Sequence, residues 1–474
     1  MELRFRTGPA WKQVISLAWP VLVQQFLILC VELYDRYLAG QNVIADPAHH
    51  VAAQAAQTNA GYLAWFISSY TILVSVGSTA LVARFVGARD AKLASRALHQ
   101  SILLALILGL GGGAIGLVLL PSVIHFLGLR GDAANFAVVY LQPRLALLMF
   151  QVLETAGIAC LAGAGDTKIA PVVSGLVVVV NMPLAWSLLH GLGPIPALGF
   201  RGIGFGTAFS HVIGSAVVLT ALARGRYGLR LHWRELVPDR HMMYRLLRVS
   251  VPAAVDSLSV IAGQFWFLSL VNQIGSGPVR EFNIAAHGHA IIWEALGYLS
   301  GNAFGTAAMT LVGQNLGARR PRDAAKSGWT ALLIGGGFMC LMGVLFFSLA
   351  EPMFRLFSPH DHQRPVIEIG VPVLRLVAFA MPALACTIIF TYALRGAGDT
   401  RRPILFTWTG FLLVRIPLAY LLTSDHVTLG DLGTIPGWDL GLFGAWLAMF
   451  ADLYVRGALF LIRFARGKWK GTEV

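Results

Sequence analysis

Six acidic side chains fall inside long apolar stretches of this 474-residue sequence: Glu32, Asp35, Glu154, Asp256, Glu294 and Asp452. An ionisable group at the middle of a bilayer costs about 2.5–3.5 kcal/mol on insertion scales, so each one is first read as functional. Glu32 and Asp35 are three residues apart and would share a helix face. Two carboxylates so placed can hold one proton or one Na⁺ between them and titrate as a coupled pair. A competing arrangement uses the same turn: Glu32 and Arg36, at spacing i,i+4, can form an ion pair that neutralises it. Asp256 and Glu294, on adjacent apolar stretches, can receive a cationic solute or pair with Arg248, His287 or His289. His287 and His289 have one residue between them and point to different faces of a helix, so no metal site is expected there. His360-Asp361-His362 reads as a solvated turn.

The elements that carry these groups follow from composition. Hydrophobic residues make up 56% of the chain and charged ones only 12%, against roughly 25% charged in a soluble domain. Apolar runs of the ~20 residues needed to cross a bilayer recur near 14–39, 57–83, 97–122, 135–161, 169–190, 202–223, 246–274, 284–312, 327–350, 370–394, 403–423 and 441–462. The expectation is an all-α integral membrane protein with twelve transmembrane helices. The basic N-terminus runs into the first of them without a small-residue cleavage site and reads as an uncleaved span.

The net charge of +13 lies in alternate loops. Five intervening loops hold only Arg130, Arg201, Arg280 and Arg364 of the 36 Lys and Arg. Lys and Arg mark cytoplasmic loops, which puts both termini in the cytoplasm and makes the surplus a matter of orientation; no nucleic-acid partner is expected. Arg144 and Arg375, at outer helix ends, are expected to snorkel to the headgroups. Cys30, Cys160, Cys340 and Cys386 fall in apolar runs, where a thiol usually behaves as a small buried hydrophobe, and they give no disulfide framework and no metal spacing.

An internal repeat organises the spans. GAGDT occurs at Gly163 to Thr167 and again at Gly396 to Thr400, 233 residues later. Pro20 and Pro252, Gly87-Ala88-Arg89 and Gly317-Ala318-Arg319, and Arg144 and Arg375 keep nearly that register. Each half has six spans, so the halves are parallel repeats related by an axis along the membrane normal. The expected division is residues 1–230, a cytoplasmic linker at 231–245, and residues 246–474. GAGDT itself reads structurally: its glycines stop a helix, and Asp or Thr can start the next.

The sequence resembles the MATE (multidrug and toxic compound extrusion) transporters of the MOP flippase superfamily. The resemblance is carried by GAGDT with its following basic residue, Leu81-Val82 to Gly87-Ala88, Leu311-Val312-Gly313-Gln314 to Gly317-Ala318, Asn181, the Gly199 to Thr207 stretch, and Arg415-Ile416-Pro417. It covers essentially the whole chain in order. It implies two six-helix lobes in a V and export of organic, often cationic, compounds in exchange for H⁺ or Na⁺. Asp35, after Tyr34 and before Leu38-Ala39-Gly40, is similar to the family's N-lobe acid that binds the coupling cation. Asn181 matches a span-five asparagine near that acid, and Tyr140 and Thr207 fit accessory polar positions or plain helix–helix hydrogen bonds. The sequence departs from the family at Arg36, where a small polar residue is usual, and at Ala185, where some members carry a second carboxylate. The acid some members place deep in span seven is also absent, Asp256 lying about one turn earlier.

The expected function is secondary antiport with a cation-coupling site at Asp35, Glu32, Asn181, Thr207 and Tyr140, and substrate contacts at Asp256 and Glu294. No cofactor beyond the coupling H⁺ or Na⁺ is expected. The expected partners are membrane lipid and small organic solutes, with the protein a monomer in the plasma (inner) membrane. A lipid-linked-saccharide flippase is the nearest alternative and would call for a cationic cavity, whereas acids outnumber arginines at mid-span. A polytopic membrane enzyme would need convergent nucleophile, base or metal ligands at one depth, which the sequence does not offer.

Overall fold

The computed structural model describes residues 8–40, 66, 69–126, 131–193, 196–360, 363–428 and 434–472. These are almost entirely helical, apart from a short antiparallel hairpin pairing His426–Thr428 with Thr434–Pro436. Span 1 is Ala10–Gly40, span 2 Ile72–Gly87, span 3 Ala91–Phe126, span 5 Ile169–His190 and span 6 Phe200–Arg224. Span 7 is Arg240–Val271, span 8 Pro278–Gly317, span 9 Pro321–Ser348, span 10 Arg364–Ala397 and span 12 Gly441–Ala465. Spans 4 and 11 are broken. Among the described residues, nine spans are long and apolar enough to cross a bilayer on their own. The other three are the bent span 4, span 8 with its charged first turns, and span 2, whose expected beginning at 57 lies outside the described residues.

Proline sets both breaks. Span 4 comprises Gly131–Ala146 and Leu148–Gly163, bent by 54° just past Pro143, whose ring removes one ladder hydrogen bond. Span 11 runs through Arg401–Trp408, a π-helical turn Thr409–Arg415, and Ile416–Thr423. Pro417 has no amide hydrogen, and the preceding Ile416 N–H reaches back five residues to the Phe411 carbonyl. Such π turns recur where a functional side chain must be re-aimed; here the turn ends on Arg415.

Buried apolar side chains form two large clusters. The first gathers spans 2 to 6 with Leu38, together with Leu229 and Leu231 of the connecting segment and Met242, Leu246, Val249 and Ala253 of span 7. The second gathers spans 8 to 12 with Phe267, Leu270 and Val271 of span 7 and Val14, Leu17 and Ala18 of span 1. Spans 1 and 7 therefore each lean on the opposite half at the side that carries the connecting segment, called here the linker side.

The halves meet closely on that side. Gln314 Nε2 donates to the Gly163 carbonyl at 2.9 Å and Thr310 Oγ1 to that of Ala162 at 3.1 Å. The Gly77 N–H donates to Ser250 Oγ at 2.8 Å, and Arg84 reaches the Thr472 carbonyl at 2.5 Å. Gly87 lies against the backbone of Gln314, and Gly317 against the backbone of Arg84. Only glycine lets backbones pass that closely, and the reciprocal pairing is what a pseudo-two-fold requires.

The two GAGDT turns are built alike. Gly165 and Gly398 take φ of +92° and +85°, the left-handed conformation that ends a helix at low cost in glycine. Neither aspartate occupies the N-cap position of the helix that follows, although Asp166 Oδ1 accepts from the Lys168 N–H at 3.3 Å. Each instead pairs with an arginine of its own half: Asp166 with Arg226, and Asp399 with Arg463 at 2.6 Å. A carboxylate this buried gains more from a guanidinium than from one exposed backbone amide.

Candidate functional site

Asp35 is 2% exposed near the far end of span 1. Tyr140 Oη donates to its Oδ2 at 3.0 Å and Thr207 Oγ1 to the same oxygen at 2.9 Å. Asn181 Nδ2 donates to Thr207 Oγ1 at 3.1 Å. The structure thus brings together four of the five residues singled out for cation coupling, from spans 1, 4, 5 and 6, all buried. The bend at Pro143 tilts the first half of span 4 and with it Tyr140. Glu32 is exposed one turn below, outside this cluster. The side chain of Arg36, its alternative partner, lies outside the described residues, as do Asp361 and His362 of the outer loop.

Two acceptors at the site stand out. Asp35 Oδ1 and Asn181 Oδ1 are buried, and among the described residues neither has a hydrogen-bond partner. An unpaired buried acceptor costs about 1–3 kcal/mol, a penalty that a proton on Asp35, or a hard cation taking both oxygens, would remove. Thr207 Oγ1 and Tyr140 Oη complete an all-oxygen set suited to such a cation.

Arg144 corrects an expectation. It does not snorkel outward: its Nη1 donates to Tyr140 Oη at 2.8 Å, so guanidinium, phenol and carboxylate form a chain. The reason is that Asp35 offers a buried countercharge one helix away. Arg375, its counterpart by the repeat, is exposed and stacks over Phe347 at 5.4 Å.

In the other half, Asp256 is held by Arg395 at 2.9 Å and by Thr407 Oγ1 at 2.6 Å. Its partner is none of Arg248, His287 or His289. Arg395 also donates to Ser257 Oγ at 3.2 Å and stacks over Tyr392 at 5.6 Å. Asp452, fully buried, accepts from Arg415 at 2.6 Å and from Arg456 at 2.7 Å. Phe411 lies between the two guanidiniums, 4.4 and 5.0 Å from them. Glu294, half-buried on span 8, feels Arg415 and Arg456 electrostatically, with no ion pair among the described residues. Asp256 and Glu294 therefore face different arginines. His287 packs on Phe267 and Trp446, and His289 on Phe354 and Phe357, the two faces their spacing implies.

Sequence reasoning did not assign Arg144, Arg395, Arg415 and Arg456 to these acids, nor the contact between Glu154 and His211. A signal existed for one of them: Arg415 and Pro417 lie 234 residues after Asn181 and Pro183, which puts a guanidinium where the first half has an amide. On the linker side, His99, His232 and Glu235 come together. Both ring nitrogens of His99 are already engaged, with the Ser95 carbonyl at 2.7 Å and the His232 N–H at 3.0 Å. Beside it Gln100 holds Val237 and Asp239 at 2.7 and 3.0 Å, so this cluster fastens the connecting segment to span 3.

A duplicated six-span unit with halves joined on one side and buried charges between its helices is an architecture in which membrane transporters place solute between the halves. Comparison with known proteins gives the class. The MatE family model matches residues 20–187 and again 252–421, the same 232-residue offset that separates Pro20 from Pro252. The chain belongs to the MATE family. It is 26% identical over 468 residues to the probable multidrug resistance protein NorM of Thermotoga maritima, covering 98% of this chain and 94% of that one. It is also 26% identical over 450 residues to the multidrug resistance protein PmpM of Pseudomonas aeruginosa, covering 92% and 89%. A solved outward-facing multidrug resistance MATE family transporter of the MOP superfamily superposes with a TM-score of 0.85 at 21% identity over 97% of each chain.

Proposed function

We propose that this protein is a secondary antiporter that exports organic, often cationic or amphipathic, compounds in exchange for H⁺ or Na⁺. The observation that carries the reading is the Asp35 carboxylate, buried among Tyr140, Thr207 and Asn181, with Asp35 Oδ1 and Asn181 Oδ1 both lacking a hydrogen-bond partner among the described residues. A cation bound there changes the charge of one half, and such a change biases an equilibrium between two arrangements of the halves. The relatives named as multidrug resistance proteins support the substrate class. The basic loops support a linker side and termini in the cytoplasm of an inner-membrane protein, which makes the arrangement sealed at Gly87 and Gly317 outward-facing. The protein acts as a monomer among membrane lipids, with small organic solutes as partners and without a bound cofactor. Uptake of a fluorescent organic cation into proteoliposomes, with a pH gradient or a Na⁺ gradient imposed alone, tests this; no response to either gradient rejects it.

One observation favours a second reading, export or flipping of anionic solutes such as lipid-linked saccharides. Arg395, Arg415 and Arg456 pair with Asp256 and Asp452 in the second half, so the excess of acids counted along the sequence is offset there. Unchanged drug accumulation in a pump-deficient host expressing the protein would shift the assignment to that reading.

A further inference from the structure

Between Asp35 and the cytoplasmic rim, the interior of the first half carries very few protonatable groups. Span 5 has none from Ile169 to Leu189, span 3 none from Gln100 to Ile124, and span 2 none from Ile72 to Ala83. Span 6 has only His211 between Arg201 and Arg224, and span 4 has Glu154 and the buried thiol Cys160 between Arg144 and Asp166. On span 1, between Lys12 at the rim and Asp35, Cys30 and Glu32 are exposed and Tyr34 is half-buried.

Those two isolated groups touch. His211 Nδ1 lies 2.9 Å from Glu154 Oε2, with Glu154 buried and His211 about one-fifth exposed. Gly214 faces the same carboxylate oxygen, where any side chain would displace it. His211 follows Thr207 at i+4 on span 6, on one face and about 6 Å further in. Successive turns of one helix therefore hold the two buried mid-span acids described in this half: Thr207 binds Asp35, and His211 binds Glu154. A buried acid–base pair is a poor device for stability alone, since apolar residues of the same volume do as well or better.

We propose that Glu154 and His211 form a second proton-holding site, so that the first half carries two protons inward per cycle, one on Asp35 and one on this pair. The inference rests on the proton-antiport reading above. The pair gains a proton when an N–H bond forms on the imidazole beside the Glu154 carboxylate, taking its charge from −1 to 0. That bond breaks on release to the cytoplasm, and nothing is oxidised or reduced.

The test uses purified full-length protein in proteoliposomes with tetraphenylphosphonium as the probe and the membrane potential clamped to zero by valinomycin and equal K⁺. At zero potential each coupled proton multiplies the steady-state probe ratio about tenfold per pH unit. Two protons give about 100-fold in the wild type, and Glu154→Gln and His211→Gln should each give about tenfold. Variants that keep the wild-type slope overturn the proposal. If the wild type responds only to Na⁺, the proton reading fails and this one with it; if Asp35→Asn abolishes the slope while Glu154→Gln leaves it intact, only the second site fails. Nitrogen-15 NMR of histidine-labelled wild type, assigned with His211→Gln, removes the dependence on variant folding. An imidazole of His211 that keeps one protonation state from pH 5 to 8 overturns the proposal.

Discussion

Replacing Asp35 by Asn removes the charge change while keeping nearly the same shape. In the wild type two hydroxyls donate to one carboxylate oxygen, at 3.0 and 2.9 Å. Bonds to a charged acceptor contribute about 1.5–3 kcal/mol each and bonds to a neutral one about 0.5–1.5. The Asn carbonyl can keep both, at a combined loss of about 2–3 kcal/mol. Against this, the variant no longer buries a charge, a penalty of several kcal/mol per ion. Net stability should stay within about 2 kcal/mol of wild type, a shift of a few degrees at most in a protein of this size. Transport should change far more. One inward proton supplies roughly 2.3 kcal/mol per 100 mV and about 1.4 kcal/mol per pH unit, enough together for a roughly 500-fold gradient of a neutral solute. With Asn at position 35 that driven ratio should collapse toward one. The assay pairs gradient-driven efflux from proteoliposomes with thermal melting and membrane abundance of the same preparation. Wild-type-like, gradient-dependent efflux at equal abundance would refute the assignment, and Glu32→Gln, an exposed group that acts on Asp35 and Arg144 through charge, should be mild.

Other expectations follow from single contacts. Gly317→Val places a side chain into the backbone of Arg84 and should prevent closure of the linker side; a cysteine introduced at Ala162 should then label faster from that side, and unchanged labelling counts against the seal. Asp452→Asn leaves Arg415 and Arg456 buried without their countercharge and should cost about 3–5 kcal/mol, read as lost folded yield; an unaltered melting temperature would contradict it. Arg226→Ala strands the fully buried Asp166 at about 1–3 kcal/mol, moderated because Arg226 is over one-third exposed. Adding Asp166→Asn should restore most of the melting temperature, and no restoration would show that the pair is not the cause.

Helix count, duplication and the Asp35 cluster were legible because each leaves a local trace: an apolar run, a repeated GAGDT, a polar residue in an apolar helix. What stayed hidden depends on rotation about helix axes and on distance across the bundle. Arg395 sits at the end of span 10 and looks in sequence like another headgroup anchor, yet it turns inward to Asp256, 139 residues away. Arg144 was misread for the same reason: position along a span gives depth, and depth alone does not say whether lipid or a carboxylate lies beside a side chain. Asp or Thr of GAGDT was read as starting the next helix because capping is a local rule, and Thr400 does take that position, while the aspartates' arginines lie about 60 residues on.

The repeat register adds a step that neither half supplies alone. Moving Asp35 by 232 residues lands on Phe267, and moving Asn181 by 234 lands on Arg415. These two also meet, the Arg415 guanidinium lying 5.8 Å from the centre of the Phe267 ring. One slot of the architecture therefore holds a carboxylate near an amide in the first half, and an aromatic face with a guanidinium in the second. The first can take up a cation and lose its charge. The second already contains fixed cations, Arg415 and Arg456, paired with Asp452, so an incoming H⁺ or Na⁺ meets like charge there, with Glu294 the one nearby acid that has no ion pair among the described residues. Under antiport the Asp35 site would supply a charge change in the first half, while the ion pairs of Asp256 and Asp452 in the second half are already made.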